Sequence, residues 1–201
     1  MVKDAFYFII PLAALAVAAY LFDFLVLAGI LMALAAFVAF FFRNPDRTIT
    51  DDPTAIVSPA DGKVIIVEPG EEGTQLSIFL SVFDVHVNRA PIAGVVRSVV
   101  HHSGQFRLAW DERASVDNER VVIKIDGEHS LTLALVAGLV ARRIIPWKKE
   151  GETVRIGERL ALIRFGSRVD MLIPKSAEVR VKKGDRVRAG STVLANWRQR
   201  L

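Results

Sequence analysis

The chain of 201 residues contains no cysteine. This absence excludes disulfide bridges, thiolate zinc sites and cysteine nucleophiles, but it leaves the cellular compartment open. The sequence also lacks a set of residues spaced to bind a metal ion. His101 and His102 are adjacent, so on a strand they point to opposite faces, and no carboxylate stands at ligand spacing from them. We therefore predict no metal site.

Charge is nearly absent from the amino-terminal part of the chain. Over residues 5–42, a run of 38, Asp23 is the only charged residue. One straight helix of that length would measure about 57 Å, well beyond the ~30 Å hydrocarbon core of a bilayer. Asp23 divides the run into legs 5–22 and 24–42, and an aspartate is expensive midway along a span. The pattern predicts a membrane-anchoring helical hairpin over residues 1–43 with Asp23 at its turn.

Small residues recur at four-residue spacing in both legs. They are Ala14 and Ala18 in the first leg and Gly29 and Ala33 in the second. Because this spacing lets two membrane helices approach closely, we expect these residues to form the contact between the legs.

Basic residues flank the hairpin, with Lys3 before it and Arg43 and Arg47 after it. By the positive-inside rule, they place the following domain on the cytoplasmic side of the cell membrane. Two alternatives stay open. The run 16–18, Ala-Val-Ala, is similar to a signal-peptide cleavage site. The hairpin can also dip into one leaflet without crossing the bilayer.

The remaining charge is unevenly distributed. Residues 142–201 contain 16 of the 26 Lys and Arg residues but only 6 of the 22 Asp and Glu residues. On a chain with an apolar anchor, such a basic region favours an anionic lipid surface as partner over nucleic acid. A solvated basic face is the alternative.

Residues 44–201 are predicted to form an antiparallel β domain with little helix. Short segments rich in β-branched residues alternate there with turn residues. The apolar segment 135–142 fits either a strand or a short helix. The other candidate strands are residues 55–57, 63–68, 75–83, 94–101, 120–125, 130–136 and 160–165.

An internal repeat supports this fold class. Residues 148–157 resemble residues 182–190, and their Val-Arg-x-Gly cores lie 33 residues apart. The pattern Gly-Asp-x-Val-x-x-Gly is typical of the barrel sandwiches of lipoyl and biotinyl carriers. Lys63 and Lys175 stand near turns but lack the surroundings of a carrier lysine, so the repeat informs the fold more than the function.

The pair Gly166-Ser167 has a specific chemical potential. The Ser167 hydroxyl can attack the carbonyl of Gly166, where no side chain blocks the approach. The ester can then eliminate to dehydroalanine, whose hydrolysis leaves a pyruvoyl group, an electrophilic ketone that forms Schiff bases and accepts electrons. Taken alone, a Gly-Ser pair is more often an ordinary turn.

The residues around this pair, together with motifs elsewhere in the chain, resemble the phosphatidylserine decarboxylase family, in particular its short membrane-anchored branch. Six elements match in the family's order. They are Arg-x-Pro-x-Arg at 43–47, Pro-Ala-Asp-Gly at 59–62, Asp-x-His at 84–86, His-x-Gly-x-Phe at 102–106, Asn-Glu-Arg at 118–120 and Phe-Gly-Ser-Arg-Val-Asp at 165–170.

The resemblance implies an Asp-His-Ser triad that drives self-cleavage. Asp61 would orient the imidazole of His86, which would take the proton of Ser167. From the residues alone, Asp61 can equally be a turn residue that caps its own backbone. The chain also departs from longer bacterial members, in which a second histidine stands where this chain has Arg89. His86 is therefore expected to serve both cleavage and the later proton transfers.

The resemblance further implies a decarboxylase that converts phosphatidylserine to phosphatidylethanolamine. Its cofactor would be the covalent pyruvoyl group derived from Ser167, and its two chains would be 1–166 and 167–201. His102 is expected to line the lipid-head pocket, and Arg142 and Arg143 to hold a lipid phosphate. The sequence leaves open whether the enzyme is a homodimer.

Two other functions remain open. One is a membrane-anchored barrel-sandwich binding module in which the Gly-Ser turn is inert. The other is a serine hydrolase that uses Ser167, His86 and Asp61, although it lacks the Gly-x-Ser-x-Gly elbow.

Overall fold

The computed structural model describes residues 1–104, 118–138, 143–164 and 167–198. The chain divides into two compact units, Met1–Asp46 and Arg47–Leu201.

The first unit is a pair of antiparallel helices. Asp23 lies in the connecting turn with a φ of 62°, a left-handed conformation that aspartate tolerates better than most residues. The Val2 amide donates to the Phe42 carbonyl at 3.0 Å, so the two ends of the hairpin meet. The predicted hairpin with Asp23 at its turn is confirmed. Its elements are a 3-10 turn, Lys3–Ala5, and the helices α1, Phe6–Leu21, and α2, Leu25–Phe41.

The contact between the helices differs from the prediction. Ala14, Ala18, Gly29 and Ala33 are all exposed. Both helices are apolar on every side, so the small residues alone did not reveal which face is buried. Within the two helices the buried residues are Ala16 and Ala19 on α1 and Ala35, Val38 and Phe41 on α2, at a spacing of three.

Length and composition bear on membrane insertion. The segment Lys3–Leu21, with 19 residues and a mean hydropathy of 1.8, is long and apolar enough to cross a bilayer, whereas α2 has 17 residues.

At the end of α2, Arg43 folds back along the helix. Its Nη1 donates to the Phe40 carbonyl at 2.9 Å and its guanidinium lies 3.9 Å from the centre of the Phe40 ring.

The second unit consists of antiparallel strands, as predicted. The segment 135–142 is strand up to Ala137, and its residues 139–142 lie outside the described residues. The strands are β1 (Ala55–Val57), β2 (Gly62–Pro69), β3 (Gly73–Leu80), β4 (Val87–Arg89), β5 (Gly94–His102), β6 (Arg120–Asp126), β7 (Ser130–Ala137), β8 (Arg143–Pro146), β9 (Thr153–Val154), β10 (Arg159–Arg164), β11 (Ser167–Pro174), β12 (Ala177–Val179), β13 (Arg186–Val187) and β14 (Val193–Trp197).

These strands form three sheets with an internal symmetry. The large sheet has the order β13-β2-β3-β11-β7-β6-β5-β9, and the two small sheets have the orders β1-β14-β12 and β4-β10-β8. Read outward from the central pair β11 and β7, β3 corresponds to β6, β2 to β5 and β13 to β9. The strands β4 to β10 therefore repeat the arrangement of β1 to β3 together with β11 to β14.

Reciprocal hydrogen bonds join the two halves. The Arg89 amide donates to the Pro59 carbonyl, and the Val57 amide donates to the Pro91 carbonyl, both at 2.9 Å. The repeat seen in the sequence takes part in the same symmetry, since β9 and β13 are its two short strands.

The glycines that end the two repeats have a shared structural reason. Gly157 and Gly190 adopt φ values of 73° and 76°, which favour glycine. A Cβ on either residue would collide with the Ile49 side chain. One apolar core joins all three sheets, with Leu76, Ile78 and Leu80 of β3 among its fully buried residues.

Candidate active site

Ser167 is the first residue of β11, one of the two central strands of the large sheet. It is paired with Leu80 of β3 on one side and with Ala137 of β7 on the other. Its side chain is buried, and among the described residues Oγ has no hydrogen-bond partner. A buried hydroxyl without a partner is uncommon and calls for a functional explanation. Gly166, the other half of the predicted cleavage site, lies outside the described residues.

Asp61 lies directly before β2, at the end of the large sheet where Ser167 begins β11. We call this end of the strands the Ser167 edge of the sheet. Arg47 Nη2 contacts both of its carboxylate oxygens, at 2.9 and 2.8 Å, and the Ala189 amide donates to Oδ1 at 2.8 Å. The Arg47 and Asp61 side chains are only 8% and 13% exposed. Arg47, 14 positions earlier in the chain, thus holds the carboxylate in an ion pair. The Ala189 amide, from a turn distant in the sequence, adds a hydrogen bond.

The turn that carries Asp61 is shaped by its own residues. Ser58 Oγ donates to the Ala60 carbonyl at 2.6 Å inside the turn, and the Pro59 carbonyl receives the Arg89 amide. At Gly62 a Cβ would collide with the Phe79 carbonyl oxygen, so only glycine lets β2 approach β3 this closely. The turn therefore delivers Asp61 to the end of β3, where Leu80 pairs with Ser167.

His86 is buried and lies directly before β4. Its Nδ1 is 3.0 Å from the Asp84 carbonyl oxygen, an acceptor, so Nδ1 carries the proton and Nε2 is the basic nitrogen. The His86 carbonyl receives the Ile163 amide of β10 at 3.2 Å.

Two short connections bring His86 and Ser167 into one region. Six positions separate Leu80 from His86, and four separate Ile163 from Ser167. Leu80 pairs with Ser167 and Ile163 bonds His86, so the two connections run from the large sheet to the same small sheet. Asp61 contacts Arg47 and Ala189, and His86 contacts Asp84 and Ile163.

Two of the residues expected to bind lipid, His102 and Arg143, lie at strand ends on the Ser167 side of the β domain. His102 is exposed at the end of β5, opposite Arg120, and β5 is three strands away from β11, about 14 Å across the sheet. Arg143 is exposed at the start of β8, opposite Arg164. Arg142 lies outside the described residues.

Two buried groups beside Ser167 lie in matched motifs to which the sequence analysis assigned no role. Arg168 is 1% exposed; its Nε donates to Asp170 Oδ1 at 2.5 Å and its Nη2 to Ser77 Oγ at 2.9 Å. Asn118 Nδ2 donates at 2.7 Å to the carbonyl of Ala137, the β7 partner of Ser167. Arg168 and Asp170 belong to the matched segment, and their i, i+2 spacing on a strand was the available signal.

The opposite edge of the large sheet contains a cavity of about 370 Å³. The His129 imidazole stacks on the Trp197 indole there, with 4.2 Å between ring centres. Ala93, which precedes β5, also lines this cavity, which is therefore distinct from the region around Ser167.

Comparison with known proteins identifies the family. A family model described as phosphatidylserine decarboxylase matches residues 34–195. The phosphatidylserine decarboxylase proenzyme of Solibacter usitatus (strain Ellin6076) is 48% identical over 166 residues, which cover 82% of this chain and 81% of the relative. The proenzyme of the same name from Symbiobacterium thermophilum (strain DSM 24528 / JCM 14929 / IAM 14863 / T) is 43% identical over 206 residues, 98% of this chain and 95% of the relative. Matches of this extent, together with the buried serine at the head of β11, lead to one conclusion: the chain belongs to the phosphatidylserine decarboxylase family.

Proposed function

We propose that the chain is a proenzyme that cuts itself between Gly166 and Ser167 and then decarboxylates phosphatidylserine to phosphatidylethanolamine. Family membership supports the activity. The observation that carries the assignment to this site is the buried Ser167 hydroxyl, which has no hydrogen-bond partner among the described residues.

Self-cleavage begins with the Ser167 hydroxyl. Oγ attacks the carbonyl carbon of Gly166 while its proton leaves to a base, and the peptide C–N bond breaks to give an ester with a free amine on residue 167. Removal of the Cα proton then expels the Gly166 carboxylate and leaves dehydroalanine. This enamine tautomerises to an imine, which water hydrolyses to release ammonia and leave a pyruvoyl group at position 167.

His86 is the proposed base of the first step. Its Nδ1 is engaged by the Asp84 carbonyl, so the lone pair is on Nε2. A buried imidazole held at Nδ1 and through its backbone carbonyl loses little orientational freedom when it accepts a proton. Asp61 contributes a fixed carboxylate on the same edge of the sheet, positioned by Arg47.

The sheet explains how the site would survive its own cleavage. The small chain, 167–201, contains β11 to β14, and the large chain, 1–166, contains β1 to β10. After scission β11 stays between β3 and β7, and β14 stays paired with β1. The two chains therefore remain interleaved, and residue 167 keeps its place.

The residues fit a covalent pyruvoyl group made from Ser167. A ketone at this position supplies an electrophile that binds the substrate amine and accepts the electron pair released with CO2. Burial of residue 167 separates the ketone from bulk solvent, and His86 Nε2 is the proposed donor of the proton that replaces the carboxylate. His102, Arg142 and Arg143 are proposed to contact the lipid head group, the arginines through its phosphate.

The helical hairpin is proposed to anchor the enzyme in the cell membrane with the β domain on the cytoplasmic side. The apolar segment Lys3–Leu21 supports insertion, and the flanking Lys3, Arg43 and Arg47 support the orientation. Five residues link α2 to Arg47, so the anchor and the β domain are joined by a short connection.

Intact mass spectrometry of the wild type and Ser167→Ala tests the proposal. We expect two chains for the wild type, the smaller blocked by a pyruvoyl group, and one chain of 22.2 kDa for the variant. An intact wild-type chain would reject self-cleavage and would favour a binding module. Labelling of Ser167 by a fluorophosphonate would favour a serine hydrolase instead.

A further inference from the structure

The turn between β3 and β4 presents an aromatic ring to solvent beside the proposed active site. Phe83 is 66% exposed, although it lies only three residues before the buried His86. An exposed aromatic side chain next to Lys and Arg residues is typical of surfaces that bind at a membrane interface.

The turn is rigidly built. The Asp84 carboxylate accepts the Ser81 amide at 2.8 Å and the Ser81 hydroxyl at 2.7 Å, both on Oδ2. Its other oxygen, Oδ1, contacts Arg186 Nη1 of β13 at 3.3 Å. These contacts fix the turn that carries Phe83.

Exposed basic residues lie on the strands that adjoin this turn, since Asp84, next to Phe83, contacts Arg186. Arg186, whose side chain is 75% exposed, pairs in register with Lys63 of β2, so both side chains leave the same face of the sheet. Lys182 and Lys183 are exposed in the adjoining turn, which is fixed by the Gly184 amide on the Val64 carbonyl at 2.8 Å. We call Phe83, Lys63, Lys182, Lys183 and Arg186 the cationic rim, in which Asp84 offsets one of the four positive charges.

The other end of the same hairpin has the opposite charge. Glu68, Glu71 and Glu72 are exposed at the β2–β3 turn, with Lys175 as a nearby base. The eight residues of β2 separate the two ends by about 23 Å. An anionic surface therefore attracts the end beside Ser167 and repels the end at the turn.

We propose that the cationic rim docks onto an anionic phospholipid surface, with the Phe83 ring inserted at the boundary between head groups and acyl chains. Phenylalanine inserts at that depth while neighbouring Lys and Arg side chains pair with lipid phosphates. The proposal rests on the proposed function in one respect, which is that the substrate is a membrane lipid. Docking brings the His86 and Ser167 edge of the sheet to the bilayer.

The absence of native cysteine allows a direct test on the full-length chain. Phe83→Cys is labelled with an environment-sensitive nitrobenzoxadiazole dye and reconstituted into vesicles of phosphatidylcholine and phosphatidylglycerol. Glu71→Cys, at the opposite end of the hairpin, is the matched control. We expect a blue-shifted emission that spin-labelled lipids quench at position 83, and a water-like emission at position 71. A water-like emission at position 83, or an equal shift at both positions, would overturn the proposal.

Charge dependence provides a second measurement. The pair Lys63→Glu and Arg186→Glu should lower the docked fraction at least fivefold on anionic vesicles, because each cation near such a surface contributes about that factor. Val100→Ser, a change at another exposed apolar residue, should leave docking unchanged. All variants are also measured with Ser167→Ala, so a failure of self-cleavage and a failure of docking give different results. If the charge reversal leaves docking unchanged, the cationic rim is not the docking surface.

Discussion

Arg47 and Asp61 form a nearly buried ion pair in which one guanidinium nitrogen, Nη2, contacts both carboxylate oxygens at 2.9 and 2.8 Å. Arg47 is the first residue of the β unit, so the pair joins its start to the turn that enters β2. Because both oxygens of Asp61 are engaged, the carboxylate has a fixed position on the edge of the sheet that contains Ser167.

Breaking this pair is expected to weaken the fold and the site together. Arg47→Ala leaves a nearly buried carboxylate with only the Ala189 amide, a loss of about 3 kcal/mol in the free energy of unfolding. We expect self-cleavage to slow about tenfold as Asp61 moves. The rate of appearance of the 35-residue fragment on SDS gels measures this. Arg47→Lys keeps the charge and should restore most of the rate, whereas an unchanged rate in Arg47→Ala would exclude a role for the pair.

Replacement of His86 separates general-base catalysis from structure. His86→Ala should slow self-cleavage by about 10²–10⁴-fold, the usual contribution of a positioned acid–base group. Added imidazole should recover part of the rate, because the cavity left by the side chain admits it. His129→Ala is the control, since His129 stacks on Trp197 at the opposite edge. If His86→Ala cleaves at the wild-type rate, another residue is the base.

The buried pair of Arg168 and Asp170 makes a prediction about stability. Asp170→Ala removes the carboxylate that pairs with the buried Arg168 guanidinium and should cost about 3–5 kcal/mol. The double variant Arg168→Met with Asp170→Ala removes both charges and should be more stable than the single variant. Thermal unfolding followed by circular dichroism measures the difference. Equal losses for the two variants would show that the charge is not what destabilises the single one.

A surface ion pair gives a pH dependence with a defined sign. Lys148 Nζ lies 2.7 Å from Glu158 Oε1, and this hydrogen bond, with the Arg155 amide, holds the pKa of Glu158 below its ordinary value of 4.5. A lowered carboxylate pKa stabilises the fold above the ordinary pKa, and the stabilisation is lost as the pH falls through the lowered one. Glu158→Gln should therefore reduce stability by about 0.5 kcal/mol near pH 7 and by less below pH 4.5.

Glu178→Gln is the matched control for that measurement, because Glu178 forms a more exposed pair with Arg180. Its effect should be smaller at neutral pH. A Glu158→Gln difference in melting temperature that stays constant down to pH 3 would contradict the assigned ion pair.

Local patterns in the sequence were sufficient for several features. The uncharged run broken by Asp23 predicted the helical hairpin, because a charge is tolerated at a turn and not midway along an apolar helix. Alternation of β-branched and turn residues predicted the antiparallel sheets, and the two Val-Arg-x-Gly cores marked its internal symmetry. The family resemblance was confirmed by the comparisons. The roles of Ser167, His86 and Asp61 stay predictions.

The long-range contacts were decided by the tertiary structure alone. The Ala189 amide reaches Asp61 across 128 positions, and Arg168 reaches Ser77 across 91. Which small residues face each other in the hairpin was likewise invisible, since both helices are apolar on all sides. Periodicity and turn chemistry depend on residues that are close in the sequence, so they specify individual helices, strands and turns and the candidate site residues. Which strand lies beside Ser167, and which cation faces Asp61, depends on how the whole apolar core packs.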